Sequence, residues 1–468
     1  MFYGREKELN LLEEKYLSSK SELVVIYGRR RIGKSTLINK FAENKKTLKF
    51  EGIEGEQSQY QIQNVSEQLI AKTKDPFAGG TLFDRWEIVF SYLTEKIVIN
   101  KRRKKKLILF FDEIQWMAVG RSKLISIMKY YWDNFWKDNH VMLILCGSIA
   151  SYMVKKVIRS KALYGRVTLE ILLQSLSPSE SGLFFANKRS KEEILKYLMI
   201  LGGVPKYLEE IDLNKSFNQN INQLCFQKNS YLLNEVSKIF YSQFKEAKTY
   251  LQIVNILKNN LLSFQEIAKK TGKKSGGSLK YYIDQLENAE FITSYISIDR
   301  EWNTKFKKYR LSDEYLVFYF KYIEPNLKII NQNPHENLFE KLTSSSFTSW
   351  MGFAFERFCL KNAFDIADKM GFGSEVLIAS PYFKKEDETF QIDLLYQRAD
   401  NVITLCEIKY HTKKIDKQII SQVDRIASLF PLPQGYTLEK ALISLYGPSD
   451  PLKSTGYFNH FLSIDNII

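Results

Sequence analysis

Eight residues, Gly28 to Ser35 (GRRRIGKS), restrict the possible folds of this chain more than any other stretch. They follow a short apolar run, Leu23–Tyr27 (LVVIY), and open a segment of helical periodicity from Lys34 to about Glu43. Strand, Gly-x-x-x-x-Gly-Lys-Ser loop and helix, in that order, make a phosphate cradle. The glycines let backbone N–H groups come close to phosphate oxygens, and the helix N-terminus adds partial positive charge. Nucleotide contacts are therefore expected from Gly28, Arg29, Arg30, Arg31, Ile32, Gly33, Lys34, Ser35 and Thr36. Lys34 is expected to reach the β- and γ-phosphates, and the Ser35 hydroxyl to ligate magnesium. ATP and Mg2+ are the expected cofactors.

A second pattern fits the first. Leu107–Phe111 (LILFF) is an apolar strand that runs into Asp112 and Glu113. Two acids at a strand end suit a Walker B role: Asp112 holds magnesium through water, and Glu113 orients or deprotonates the attacking water. A third strand, Val141–Cys146, ends in Gly147-Ser148, where the serine either bonds the attacking water or γ-phosphate or caps the next helix. Arg166, in Tyr164-Gly165-Arg166, either stabilises transition-state charge in cis or across a subunit interface, or is a plain surface arginine. Helices are expected over residues 5–20 and near Leu124–Trp136. Strands alternating with helices imply parallel βαβ units, hence an α/β domain over 1–175.

A chain of 468 residues exceeds one ordinary core. Residues 176–245 read as a helical lid punctuated by Gly202-Gly203-Val204-Pro205, and 246–325 as a winged helix-turn-helix. Residues 326–348 read as a linker and 349–468 as a return to strands, at 376–383, 390–397 and 402–410. No apolar run approaches the ~18 residues of a membrane span, and MFYGREKEL lacks a leader's apolar stretch, so no membrane and a cytoplasmic location are expected. Four scattered cysteines without a CxxC pair argue against zinc and disulfides.

The net charge of +15 and pI of about 9.2 favour a polyanionic partner, with DNA the expected one. The run Lys101–Lys106 (KRRKKK) reads as a solvated loop, since like charges repel and stay exposed. Over 251–320 eleven basic and eight acidic residues leave a net +3. A recognition helix would begin near Ser278, with Lys273, Lys274 and Lys280 about it and Lys305, Lys307, Lys308 and Arg310 on the wing. Asp284, Glu287 and Glu290 on the same helix favour the opposite reading, a module that only spaces its neighbours.

Near the C-terminus, Asp393 precedes Glu407-Ile408-Lys409 by fourteen positions. Residues two apart on a strand share a face, so Glu407 and Lys409 are expected to point together while Ile408 enters the core. With Asp393 on a neighbouring strand the three can converge, and Glu356 on an upstream helix can complete the site. Two carboxylates, Asp393 and Glu407, suit a magnesium ion, and Lys409 suits a water or the charge developing at phosphorus. His140, His335, His411 and His460 form no ligand spacing.

FYGREKEL, the P-loop, FFDEIQW, CGS, LYGR and GGVPKYLEE occur here in the order of the archaeal-type AAA-like ATPases. The chain resembles that family, in the signal-transducing (STAND) branch of P-loop NTPases. The resemblance implies that Gly4 and Arg5 lie near the adenine and that Pro205, in the lid, packs against the nucleotide. Unlike hexameric AAA+ enzymes the chain lacks an obvious lid arginine, so ring assembly does not carry over. Glu356, Asp393 and Glu407-x-Lys409 resemble the PD-(D/E)xK nucleases, with Ile392 where the archetypal motif has Pro. The expected class is α/β: a P-loop NTPase with helical lid, winged helix-turn-helix and C-terminal α/β restriction-endonuclease-like domain. The expected function is an ATP-hydrolysing switch controlling a DNA-directed nuclease-like domain; the competing one is a regulator or adaptor that cleaves nothing.

Overall fold

Five strands, β1 (Glu22–Tyr27), β2 (Thr47–Glu51), β3 (Leu107–Asp112), β4 (Val141–Gly147) and β5 (Leu169–Leu172), form a wholly parallel sheet ordered β2-β3-β4-β1-β5. They come from a computed structural model that describes residues 2–73, 83–99, 104–119, 123–148, 152–244, 246–296, 307–333, 337–384 and 389–468. Every residue of β1, β3 and β4 is buried, because helices cover both faces. Leu23, Val25 and Tyr27 of β1 join a core with Phe50, Phe111 and Leu143, while Val24 and Ile26 join one with Leu37, Ile38 and Ile144. The helices α1 (Glu6–Leu17) and α2 (Lys34–Ala42) pack on the second face, and α3 (Ser58–Thr73) and α4 (Trp86–Leu93) on the first. This sheet belongs to the first of two compact units, Met1–Gln174 and Ser175–Ile468.

The expected strands lie within a residue of their places, but β2 and β5 join them unannounced. Both are short edge strands only partly buried, so neither carries a continuous apolar run. Of the basic run, Lys101, Arg102 and Arg103 fall outside the described residues, and Lys104 and Lys105 are exposed. Lys106 corrects the solvated-loop reading. Its ammonium is turned inward, donating to Ser18 Oγ at 2.6 Å and to the Lys15 carbonyl, and burial pulls its pKa down.

The second unit begins with helices. A capping box at Ser177 starts Pro178–Gly182, and Lys191–Leu201 follows with nearly all its apolar side chains inside. Gly203 comes next because nothing larger fits: a Cβ there would lie 2.1 Å from the Leu176 carbonyl oxygen. Pro205 is the first residue of the helix Pro205–Leu208, the place where proline's missing N–H costs nothing. Helices Ala247–Leu257, Phe264–Thr271 and Gly277–Asn288 accompany a small antiparallel sheet. Its strands β6 (Leu262–Ser263), β7 (Ile292–Tyr295) and β8 (Lys308–Leu311) are ordered β6-β8-β7. Lys305, expected on the wing, lies outside the described residues.

Where a linker is expected, residues 326–348, the chain forms helices Leu327–Gln332 and Leu338–Thr343. Ile330, Leu338 and Phe339 are buried there, and the Phe339 ring meets Phe226, Phe318 and Phe347. The helix Phe347–Lys361 leads to a mixed sheet of β9 (Val376–Lys384), β10 (Phe390–Arg398), β11 (Val402–Lys409), β12 (Thr437–Ser444) and β13 (His460–Leu462). β9, β10 and β11 form an antiparallel meander; β12 and β13 continue parallel to β11. Among the described residues no helix is long and apolar enough to cross a membrane.

Candidate functional site

The P-loop lies between the interior strand β1 and α2, and its backbone explains its sequence. Gly28 has φ 154°, and a Cβ there would sit 2.3 Å from the Leu173 carbonyl oxygen and 2.7 Å from Ile32 Cδ1. Gly33 caps α2 at φ 83°, and Arg31 also takes a left-handed conformation, so the backbone turns sharply just ahead of the helix. Lys34 is buried, with Nζ donating to the Gly28 and Arg29 carbonyls at 3.1 and 2.8 Å. Burial pulls its pKa down, against Cys146, Glu113 and Asp112, which favour the charged form. Ser35 is half-buried and Thr36 exposed, while Ile32 and Arg29 are buried. Arg30 pairs with Glu54 at 2.7 Å.

Arg5, in a left-handed conformation beside buried Gly4, joins this loop directly. Its guanidinium donates to the Ile32 carbonyl at 3.3 Å and to the Gln174 carbonyl at 2.6 Å. The contact is to the loop backbone, which the sequence alone does not indicate.

At the end of β3, Asp112 is buried and accepts from the Glu113 amide at 3.1 Å. Lys49 Nζ on β2 lies 3.2 Å from Asp112 Oδ2; burial opposes the lysine's charge, but Asp112 and Glu51 outweigh it and hold its pKa up. Glu113 has φ 50°, a strained conformation for a residue with a Cβ, of the kind that collects at functional turns. Ser148, fully buried at the tip of β4, donates to Glu113 Oε2 at 2.9 Å. Gln115 Nε2 donates to the same carboxylate oxygen and to Ser148 Oγ, the latter at 3.1 Å. Ser148, Glu113 and Gln115 are thus in one group, while Lys49, which no sequence motif marks, pairs with the adjacent Asp112. Arg166 is elsewhere: Nε and Nη2 bind Asp133 at 2.6 and 2.8 Å, at the end of the helix Leu124–Asn134. Pro205 belongs to the second unit.

A buried lysine, a glycine cradle that a methyl group would fill, and a buried aspartate beside a hydroxyl-bearing helix start all fit Mg-ATP. A parallel sheet with this loop at the end of its interior strand β1 defines a P-loop ATPase. Residues 2–211 match a family described as an ATPase domain predominantly from Archaea, and residues 319–420 one described as archaeal and bacterial proteins of unknown function. An uncharacterized protein of Methanocaldococcus jannaschii is 30% identical over 361 residues, 76% of this chain and 76% of that one. An uncharacterized ATP-binding protein of the same organism is 54% identical over 46 residues, 10% of this chain and 78% of that one. A solved Walker-type ATPase of Pyrococcus abyssi is 18% identical with TM-score 0.49, over 68% of this chain and 96% of that one. The chain belongs to this archaeal family of ATP-binding ATPases.

A second group of charges lies in the C-terminal sheet. Lys409 Nζ meets Glu407 Oε1 at 2.5 Å, and Gln422 Nε2 donates to the same oxygen at 3.0 Å. Ile408 between them is buried in the core. Asp393 sits in a register shift of β10 between Ile392 and Leu395, an irregularity that re-aims side chains. Burial, then Glu356 and Glu407 beside it, push the Asp393 carboxyl up to about 7 against the pull of Lys409. Burial also raises Glu356, although Arg357, Lys409 and Arg310 oppose it. The four residues thus share one electrostatic neighbourhood. Among the described residues, however, no three His, Cys, Asp or Glu side chains are grouped so as to hold a metal ion.

The raised carboxyl has a measurable consequence. The unfolded chain releases this proton near pH ~3.9 and the folded chain near about 7, so stability falls as pH rises between the two and stays lowered above. Asp393→Asn is expected to leave stability unchanged at about pH 4 and to raise it by on the order of 1–3 kcal/mol at about pH 8. Urea midpoints in EDTA read this directly; equal midpoints at the higher pH would place Asp393 in ordinary solvent.

Proposed function

We propose that this chain is a magnesium-dependent, ATP-hydrolysing switch that controls a DNA-directed nuclease-like domain. The observation that carries the first half is the hydrogen-bonded group of half-buried Glu113 with buried Gln115 and Ser148, next to Asp112. In this reading Gly28–Thr36 hold the phosphates, Lys34 reaches the β- and γ-phosphates, and Ser35 and Asp112 would hold the magnesium. Such an ion would supply positive charge against the charge that develops on the phosphates. Glu113 orients or deprotonates water, its carboxylate fixed by Ser148 and Gln115. Gly4 and Arg5 border the adenine, Pro205 belongs to a lid over residues 176–245, and Arg166 acts only if it leaves Asp133.

For the second half, residues 246–325 are assigned to a winged helix-turn-helix and 349–468 to a PD-(D/E)xK fold. The meander carrying Asp393, Glu407 and Lys409, with Glu356 on the preceding helix, supports it. Asp393 and Glu407 would hold a second magnesium, and Lys409 would position water. Incubating the full chain with plasmid and single-stranded DNA, with Mg2+ or Mn2+ and with ATP or ADP, tests this. Cleavage is expected, and Asp393→Ala is expected to lower it by about 100-fold or more. No cleavage in any nucleotide state would leave the competing reading, a non-cleaving ATP-binding regulator. A specific observation favours that alternative: the Glu407 carboxylate is already tied to Lys409 and Gln422.

A further inference from the structure

We infer that Arg30 is the side chain by which this chain tells a nucleoside triphosphate from a diphosphate, and that the Glu54 carboxylate holds it until a γ-phosphate takes its place. The inference rests on the P-loop reading of Gly28–Ser35, and adds to it a partner from the segment after β2.

Arg30 is tied to the phosphate end of the loop by its own backbone. The Arg29 carbonyl, one half of the peptide unit that leads into Arg30, accepts from Lys34 Nζ at 2.8 Å. That ammonium is the one expected at the β- and γ-phosphates. Of the three arginines in the loop, Arg29 is buried and Arg31 occupies a left-handed turn. Arg30 instead reaches out of the loop, where Nη2 donates to Glu54 Oε2 at 2.7 Å.

The segment that presents Glu54 is fastened on both sides of Gly52 and Ile53. The Gly52 amide donates to the Asp112 carbonyl at 3.0 Å, and a Cβ on Gly52 would lie 2.8 Å from the Glu113 carbonyl oxygen. Fully buried Gln61 clamps Ile53, accepting from its amide at 3.0 Å and donating to its carbonyl at 2.6 Å. Glu54 follows directly. The pair of Arg30 and Glu54 therefore bridges the loop beside Lys34 and the turn that carries Asp112 and Glu113. Those are the two walls of the site assigned to the terminal phosphate.

Magnitudes favour an exchange. The pair is open to water, with side chains 25% and 50% exposed, and such pairs are worth about fivefold or less. A guanidinium on a phosphate makes forked, charge-assisted bonds, each worth about 10- to 150-fold. Arg30 can thus leave Glu54 for a γ-phosphate, the group that ADP lacks.

The test is calorimetric titration of the full chain with ADP and with the non-hydrolysable β,γ-imido analogue of ATP, both with Mg2+. Arg30→Gln is expected to weaken the analogue about 10- to 100-fold and ADP by less than about threefold. Arg30→Lys, which keeps the charge but not the fork, is expected to recover part of that loss. Glu54→Gln is expected to tighten the analogue about 2- to 5-fold and leave ADP alone. Both variants should melt within about 4 °C of the parent chain, because the pair is exposed. An equal loss of both nucleotides in Arg30→Gln would overturn the inference and make Arg30 a part of the loop scaffold. Weaker binding of the analogue by Glu54→Gln would overturn it too, since the pair would then have to stay intact. Lys34→Ala separates the two levels of the argument. If it binds both nucleotides as the parent does, the P-loop reading fails and the role of Arg30 with it. If it loses both while Arg30→Gln changes neither, the role of Arg30 fails alone.

Discussion

Glu113→Gln is expected to turn over ATP about 10²–10⁴-fold more slowly while binding it as tightly as the unaltered chain. The amide keeps the shape of the carboxylate, so it can still meet Ser148 Oγ and Gln115 Nε2, which now hold Glu113 Oε2. What it loses is the capacity to accept a proton from water. Because Asp112, Lys34 and the loop amides are untouched, nucleotide affinity should not move. Steady-state phosphate release and calorimetric ATP titration on one preparation check this. Unchanged turnover would remove Glu113 from the reaction and leave it a turn residue.

Lys34→Ala should act on the other quantity, with a binding loss of at least about 100-fold. The Lys34 ammonium is buried where desolvation already disfavours its charge, and among the described residues the Gly28 and Arg29 carbonyls accept from it. Phosphate oxygens offer that ammonium stronger partners, worth about 1.5–3 kcal/mol for each charged hydrogen bond. Two such bonds account for the factor. A thermal shift reads it simply: ATP at about 100 times Kd should stabilise the parent chain by about 2.7 kcal/mol and the variant hardly at all. Equal shifts in the two chains would show that the nucleotide binds away from this loop.

The two cases differ in how much could be read from sequence. Lys34, Asp112 and Glu113 stand at fixed offsets inside a strand-loop-helix or at a strand end, so local pattern is enough. Lys49 and Gln115 do not. Lys49 belongs to an edge strand of mixed polarity, and only the pairing of β2 with β3 brings it to Asp112. Gln115 lies within FFDEIQW, but its partner Ser148 is 33 residues away, so local pattern does not reveal the contact. The signal that could have found Lys49 is its spacing from Glu51, two residues apart and so on one face. For the 326–348 stretch, asparagines and prolines suggested a tether, yet Ile330, Leu338 and Phe339 recur at spacings that a buried helical segment also permits. In the C-terminal sheet the alternation of Glu407, Ile408 and Lys409 was legible, whereas the irregularity at Asp393 depends on β9, which local alternation ignores.

The carbonyl that closes against Gly28 has a consequence for synthesis. That oxygen belongs to Leu173, and β1 has both its neighbours far downstream: Ser21 bonds Val141 across 120 residues, and Leu23 bonds Thr168 across 145. At about 5–20 residues per second the ribosome delivers the loop roughly 7–30 s before the strand that completes it. A nascent chain in that interval carries the whole GRRRIGKS motif and no cradle. Nucleotide can therefore rescue only a finished first unit, and a truncation just short of residue 173 should yield a chain that holds every motif residue and binds nothing.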